Sequence, residues 1–184
     1  PDLAIYGKSL GAGYPIGAIV GADSLMRYLD PSSDNGDYIF SIGSFHSNPL
    51  CSTAALYCIR ELQKKGSYEK LNNYGKGLTL GLSKIFKKYN IPHFMTGLGS
   101  IVEFFFTDEA VTDYKTSVKS NLALKELLGS KMSKFKVVGG GGRYTSSIIH
   151  GEKELDWMLE AVDNSLANAQ YTGALECVLE KSNK

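Results

Sequence analysis

Apolar residues recur at helical spacing in three stretches of this 184-residue chain. Between residues 49 and 63 the apolar positions are Leu50, Ala54, Tyr57, Cys58 and Leu62. Asn48 is a good N-cap for this stretch, and Pro49 suits the first helical position. Residues 67–89 and 151–170 repeat the pattern. The sequence therefore predicts three amphipathic helices.

Runs of β-branched and aromatic residues predict the strands. Residues 100–107, SIVEFFFT, form the clearest strand, and residues 112–129 are predicted to be a helix after it. FKVV at 135–138 and RYTSSIIH at 143–150 are predicted to pair as two strands joined by a glycine turn. These elements together form a β-α-β-β-α block.

The first forty residues alternate short apolar runs with turns. Residues 16–20 are predicted to be a buried strand, and residues 22–29 a short helix capped by Asp23 or Ser24. Residues 30–38, DPSSDNGDY, predict an exposed loop. The order of elements indicates two unequal parts followed by a polar tail.

The composition excludes several classes of protein. Hydrophobic residues make up 43% of the chain, charged residues 21%, and the formal net charge is +1. A charge near zero with scattered lysines argues against nucleic acid and against an acidic membrane surface. No apolar run approaches the roughly 18 residues of a membrane span. The three cysteines match no zinc spacing, so we expect no metal site, and reduced thiols are typical of a cytoplasmic protein.

Lys8 is the residue that most clearly indicates chemistry, because it lies in the glycine-rich stretch YGKSLGAGYPIGA, residues 6–18. Gly11, Gly13 and Gly17 remove side chains around it and leave room for a bulky planar ligand. Backbone amides in such turns can bind an anion. A lysine removed from water becomes a nucleophile toward carbonyls, as the lysine that holds pyridoxal 5′-phosphate does. The plainer interpretation is a surface lysine beside a turn.

Three separated segments resemble class III (subgroup II) pyridoxal-phosphate aminotransferases. PDLAIYGKSLGAGYPIGAIVG at 1–21 is similar to the lysine segment of that family. GLGSIVEFFFTDEAVTDY at 97–114 and SSIIHGEKELD at 146–156 resemble its glutamate-1-semialdehyde 2,1-aminomutase-like branch. The resemblance covers about residues 1–170.

The resemblance implies an α/β fold, namely the C-terminal part of a fold-type I pyridoxal-phosphate-dependent transferase. Residues 1–75 would be the C-terminal part of the large cofactor-binding domain. Residues 76–170 would be the small C-terminal α+β domain, and residues 171–184 a polar tail.

The resemblance also implies roles for particular residues. Lys8 would form the internal aldimine with pyridoxal 5′-phosphate and later move a proton between substrate and cofactor. GSFHSNP at 43–49 is similar to the family's phosphate-binding stretch, in which Gly43 and Ser44 would bind the cofactor of the neighbouring subunit. A homodimer is therefore implied. The helix that follows would begin beside that phosphate, a favourable place for an anion.

His46 and Arg143 are the candidates for substrate contacts, with an amino acid or another small amino compound as the substrate. The implied activity is transamination or amino transfer within one molecule. The family's N-terminal half would carry the aspartate for the ring nitrogen, so we expect this chain to be a fragment that needs that half. Two alternatives remain: a racemase or epimerase of the same fold, and a non-catalytic scaffold chain.

Overall fold

The computed structural model describes residues 1–32, 38–139 and 142–181. In it the chain divides into two units, Pro1–Ser67 and Tyr68–Lys184. The division falls at the start of the second long helix, eight residues before the boundary that the sequence favoured. Among the described residues, no helix is both long enough and apolar enough to cross a membrane.

In the first unit a small antiparallel sheet carries the glycine-rich segment. β1 (Leu3–Tyr6) pairs with β2 (Ala18–Gly21), and Tyr6 lies opposite Ala18. A 3-10 turn at Lys8–Gly11 stands between the strands. Helix α1 (Asp23–Met26) follows β2 and continues into a second 3-10 turn, Arg27–Leu29. The lysine segment therefore lies in the connection between the two strands, at the end of the sheet where β1 ends and β2 begins.

The N-cap of α1 is Ala22, which makes no side-chain hydrogen bond, so the predicted cap by Asp23 or Ser24 is wrong. Asp23 is instead inside the first turn, where a negative charge complements the helix dipole. The loop predicted at 30–38 begins with a turn in which Ser32 donates two hydrogen bonds to Asp30. These bonds hold the pKa of Asp30 below its usual value. The rest of that loop, residues 33–37, lies outside the described residues.

Helix α2 (Pro49–Gln63) begins where the sequence predicts. Asn48 accepts hydrogen bonds from the amides of Leu50 and Cys51 at 3.1 and 3.2 Å, which confirms the cap. The buried face differs from the predicted one. Cys51 and Ala55 are buried, whereas Leu50 and Tyr57 are each 59% exposed.

The second unit packs helices on one face of a three-stranded antiparallel sheet. Its elements are α3 (Ser67–Lys88), β3 (Phe94–Leu98), β4 (Ile101–Phe105), α4 (Tyr114–Ser117), α5 (Leu122–Met132), β5 (Arg143–Thr145), α6 (Glu152–Tyr171) and α7 (Ala174–Lys181). The strand order is β3-β4-β5. Apolar residues at helical spacing on α3, α5 and α6 meet the alternate residues of β4 in a continuous core. Leu82, Phe86, Phe104 and Leu124 are fully buried there.

Three elements of this unit differ from the sequence-based expectation. Residues 112–129 form two helices rather than one, because Asn121 caps α5 separately. FKVV is not a strand: Lys136 takes the left-handed conformation, with φ 60°, and ends a 3-10 turn. β5 pairs with β4 instead, Tyr144 opposite Val102. The tail expected after residue 171 contains α7, whose Leu175 is 2% exposed.

Candidate active site

Lys8 occupies an unusual backbone conformation. It has φ 51°, and Ala12, which closes the same 3-10 turn, has φ 49°. The turn is held by hydrogen bonds from the amide of Leu10 to the carbonyl of Gly7 and from Ala12 to Ser9, both 3.1 Å. Left-handed residues other than glycine are strained and concentrate at functional sites. The conformation marks Lys8 as a residue whose placement is fixed by its surroundings.

The glycines around Lys8 keep its side chain open. Gly13 has φ 100° and faces open space, while Gly11 is buried with no room for a β-carbon beside Ile16. Lys8 is exposed, and its amine makes no hydrogen bond or ion pair among the described residues. The expectation that burial desolvates this lysine is therefore not met within the first unit.

Cys58 connects the lysine turn to α2. Its thiol donates a hydrogen bond of 3.3 Å to the carbonyl of Ser9, the residue after Lys8. Sequence reasoning treated Cys58 only as a reduced, buried thiol. No local signal could have found this contact, because the two residues are 49 positions apart.

The segment 43–47 forms a tight turn before α2. The amide of His46 donates to the carbonyl of Gly43 at 2.9 Å, and Ser47 has φ 53°. The His46 ring lies over Gly43, so that a β-carbon there would be 3.0 Å from a ring carbon. The amides of Ser44, Phe45 and Ser47 have no acceptor among the described residues. The turn thus offers unpaired amides beside the Ser44 hydroxyl.

The N-terminus of α2 contributes less to anion binding than the sequence indicated. Pro49 has no amide hydrogen, and the amides of Leu50 and Cys51 are taken by the Asn48 side chain. The Ser52 amide donates to the carbonyl of Asn48. The first turn therefore has no unpaired amide among the described residues, and only its dipole remains to favour an anion.

Lys8 and Ser44 meet different parts of α2. The lysine turn contacts the helix at Cys58, whereas the Ser44 turn precedes its N-cap, Asn48. Ten residues of helix separate these points, about 15 Å at 1.5 Å per residue. The two predicted cofactor contacts therefore adjoin different parts of α2.

Arg143 lies in the second unit, on edge strand β5. It is exposed and stands opposite Glu103 of β4. The next residue, Tyr144, is a packing residue, because it donates hydrogen bonds to the carbonyl of Gly139 and to the Met132 sulfur. Burial raises the pKa of Tyr144 to about 12.

Lys125 on α5 lies beside this strand and was not singled out from the sequence. It is only 9% exposed, and its ammonium lies 4.3 Å from the centre of the Phe105 ring. Burial lowers its pKa, and the nearby Glu103 carboxylate opposes that effect. No three His, Cys, Asp or Glu side chains in the described part of the chain group as a metal site would require.

Comparison with known proteins places the chain in a family. The model of "Aminotransferase class-III" matches residues 1–130, so the chain belongs to the class-III aminotransferase family. Glutamate-1-semialdehyde 2,1-aminomutase 1 of Macrococcus caseolyticus is 31% identical over 169 residues, 90% of this chain and 38% of that protein. Glutamate-1-semialdehyde 2,1-aminomutase 2 of Brevibacillus brevis is 38% identical over 122 residues, 66% of this chain and 28% of that protein.

Solved structures show the same fold. An omega-transaminase from Sphaerobacter thermophilus superposes with a TM-score of 0.84 at 24% identity, covering 92% of this chain and 39% of that one. A glutamate-1-semialdehyde aminomutase from Pseudomonas aeruginosa PAO1 gives 0.73 at 16% identity, covering 91% and 39%. The fold is that of the C-terminal part of fold-type I pyridoxal-phosphate-dependent transaminases, as predicted. The chain spans about two fifths of the length of the curated relative from Macrococcus.

Proposed function

We propose that this chain supplies the catalytic lysine, Lys8, of a pyridoxal-phosphate-dependent enzyme that moves amino groups between two molecules or within one. The observation that carries the proposal is the conformation of Lys8 in a chain of the class-III aminotransferase family. Its backbone is left-handed, its amine is unpaired among the described residues, and glycines surround it.

The residues present fit pyridoxal 5′-phosphate. A planar ring needs open space beside the amine, and Gly13, which faces open space, provides it. A phosphate needs donors, and the turn at Gly43–Ser47 has unpaired amides beside the Ser44 hydroxyl. When bound, this cofactor supplies an aldehyde that links to amines and a ring that accepts electrons.

Lys8 would hold the cofactor through its amine. When that amine is free, it would act as the base that takes a proton from the substrate carbon and gives it back. The hydrogen-bonded turn at Gly7–Ala12 would keep the amine in place for this proton transfer. This chain would thus contribute the Lys8 amine as the base, together with the turn that holds it in position.

We assign Gly43 and Ser44 to a phosphate in the partner subunit of a homodimer. The two turns adjoin different parts of α2, the lysine turn at Cys58 and the Ser44 turn at the N-cap, which is compatible with contacts to two different cofactors. The exposed apolar residues beside Ser44 support it as well: Phe40, Ile42 and Phe45 are 70%, 73% and 82% exposed. Such clustered apolar exposure is typical of a surface that another protein covers.

The substrate class follows from the relatives. The curated relatives are named as glutamate-1-semialdehyde aminomutases, and the structural neighbours include an omega-transaminase and a beta-phenylalanine aminotransferase. We therefore expect a small amino compound that carries a carboxylate, with the exposed guanidinium of Arg143 and the His46 ring as candidate contacts.

A half-reaction assay tests the activity. The intact protein, as its gene encodes it, is loaded with pyridoxal 5′-phosphate and mixed with single amino donors, and the loss of the cofactor's visible absorbance is followed. Wild type should react with glutamate-1-semialdehyde or β-phenylalanine, both of which carry a carboxylate. Lys8→Ala should slow that reaction by a factor of about 1,000 or more, as removal of a catalytic base and nucleophile does. Equal rates in the two proteins would refute the proposal.

A further inference from the structure

We infer that Cys58 is a positioning residue for Lys8, whose side chain holds the lysine turn against α2. The inference rests on the proposed function of Lys8. Cys58 touches neither the amine nor any reacting atom; it acts through the carbonyl of Ser9, to which its thiol donates at 3.3 Å.

The lysine turn needs such a contact because its backbone is strained at both ends. Lys8 and Ala12 are both left-handed without being glycine, and such residues persist only where the surrounding structure fixes them. Within the turn, the Ser9 carbonyl accepts one bond from the Ala12 amide. The second bond to that carbonyl is the Cys58 thiol.

Among the described residues, Cys58 provides the one side-chain hydrogen bond to residues 7–12. Losing it leaves the Ser9 carbonyl with a single internal bond and removes the side-chain hydrogen bond between the turn and the helix. The Ser9 carbonyl belongs to the peptide between Ser9 and Leu10, so a change in its direction shifts Ser9 and, through Ser9, the backbone that carries the lysine side chain. Helix α2 thus fixes the position of the turn through Cys58, and the turn orients the Lys8 amine.

Cys51 offers a matched control on the same helix. It is a cysteine two turns earlier and is more deeply buried, at 7% exposure, but its thiol makes no hydrogen bond among the described residues. Replacing Cys51 removes the same atoms without touching the turn. Comparison of the two positions separates lost packing from the lost hydrogen bond.

The first test needs no cofactor. Hydrogen exchange is measured on the intact cofactor-free protein at the amides of Leu10, Ala12 and Tyr14, which close the turn. Cys58→Ala and the similarly sized Cys58→Val should each raise exchange there about three- to tenfold, because one net hydrogen bond is lost. Cys58→Ser, which keeps a donor, and Cys51→Ala should stay within about twofold of wild type. Unchanged exchange in both the Ala and Val variants would overturn the inference, as would an equal rise in Cys51→Ala.

The second test uses the loaded protein and reads the pH at which the absorbance of its lysine-linked cofactor titrates. Cys58→Val should move that midpoint by at least about 0.3 pH unit, a twofold change in proton affinity, and Cys58→Ser should restore it. If Cys58→Val leaves the midpoint unchanged, the inference about Cys58 is wrong, while the proposed function of Lys8 is unaffected. If wild type forms no link at Lys8, the proposed function fails, and Cys58 then positions no reactive lysine whatever the exchange shows.

Discussion

Gly75 of α3 lies directly against the carbonyl of Gly99, in the turn that joins β3 to β4. A β-carbon on Gly75 would overlap that carbonyl. Gly99 itself has φ 57° and lies against the Asn72 side chain. The helix and the hairpin of the second unit therefore approach at backbone distance, and the glycines in GLGS have a packing reason independent of any ligand.

This contact predicts that Gly75→Ala destabilises the second unit. The added methyl group meets backbone, which cannot rotate away, so we expect a loss of about 1–3 kcal/mol in the free energy of unfolding. Gly77→Ala is the control on the same helix, because its β-carbon meets only the end of the flexible Leu155 side chain. Better helix propensity should leave that variant as stable as wild type or more so. Urea unfolding of the intact protein measures both, and equal midpoints would contradict the packing described.

The partly buried Tyr144 predicts a loss of stability in alkali. Its pKa is about 12 in the folded protein and about 10 in an unfolded chain. The unfolded chain therefore gives up the proton first as pH rises. The contribution is fully present below pH 10, falls between pH 10 and 12, and amounts to roughly 2–3 kcal/mol.

Tyr144→Phe isolates this effect, since the other tyrosines are common to both proteins. At pH 8 the variant should be less stable by about 1 kcal/mol, because the bond to the Gly139 carbonyl is lost. Above pH 11 it should become the more stable protein. Parallel stability curves from pH 9 to 12 would show that Tyr144 is not buried as described.

The unpaired amides around Ser44 predict a phosphate contact. Ser44→Ala should raise the dissociation constant of the intact cofactor-free protein for pyridoxal 5′-phosphate about tenfold, as loss of a hydrogen bond to a charged group does. It should leave the affinity for pyridoxal, which has no phosphate, within about twofold. Ser52→Ala, at an exposed position on α2, is the control. A similar loss for both ligands in Ser44→Ala would place Ser44 away from the phosphate.

The exposure of Phe45 predicts a dependence of dimer formation on this side chain. Because it is 82% exposed within its own unit, Phe45→Ser should leave the fold of that unit unchanged, as read by circular dichroism. It should raise the dimer dissociation constant at least about tenfold in sedimentation equilibrium, since an apolar anchor is lost. Tyr171→Ser, at a position that is 92% exposed, is the control. A monomer in wild type, or an unaltered dimer in Phe45→Ser, would contradict the proposed subunit contact.

Local sequence patterns predicted much of the fold, because they act over a few residues. Asn48 and Pro49 set the start of α2 through a side-chain cap and a fixed φ, both readable in the sequence. The apolar periodicity of α3 and α6 likewise matches the buried faces of both helices. FKVV failed as a strand because Lys136 is left-handed, which its composition does not reveal.

The sequence predicted only part of the candidate active site around Lys8. The glycines around Lys8 predicted open space, and the structure has it at Gly13 but not at Gly11, which packs against Ile16. The left-handed turn and the bond from Cys58 to Ser9 depend on helix α2, which is distant in sequence. Likewise, the Asn48 cap removes from α2 the amides that a helix start would otherwise offer to a phosphate. That the Asn48 side chain and a phosphate would compete for the same backbone amides becomes visible only in the folded structure, where the hydrogen-bond partner of each amide is known.

The central claim is that Lys8 carries the cofactor, and borohydride reduction followed by peptide mapping tests it most directly. The intact protein is loaded with pyridoxal 5′-phosphate, reduced, digested and analysed by mass spectrometry. We expect one pyridoxyl increment on the peptide that contains Lys8. The same peptide should carry no increment in unreduced protein, and neither should the corresponding peptide of Lys8→Ala. An increment on another lysine, such as the buried Lys125, with Lys8 unmodified would contradict the claim.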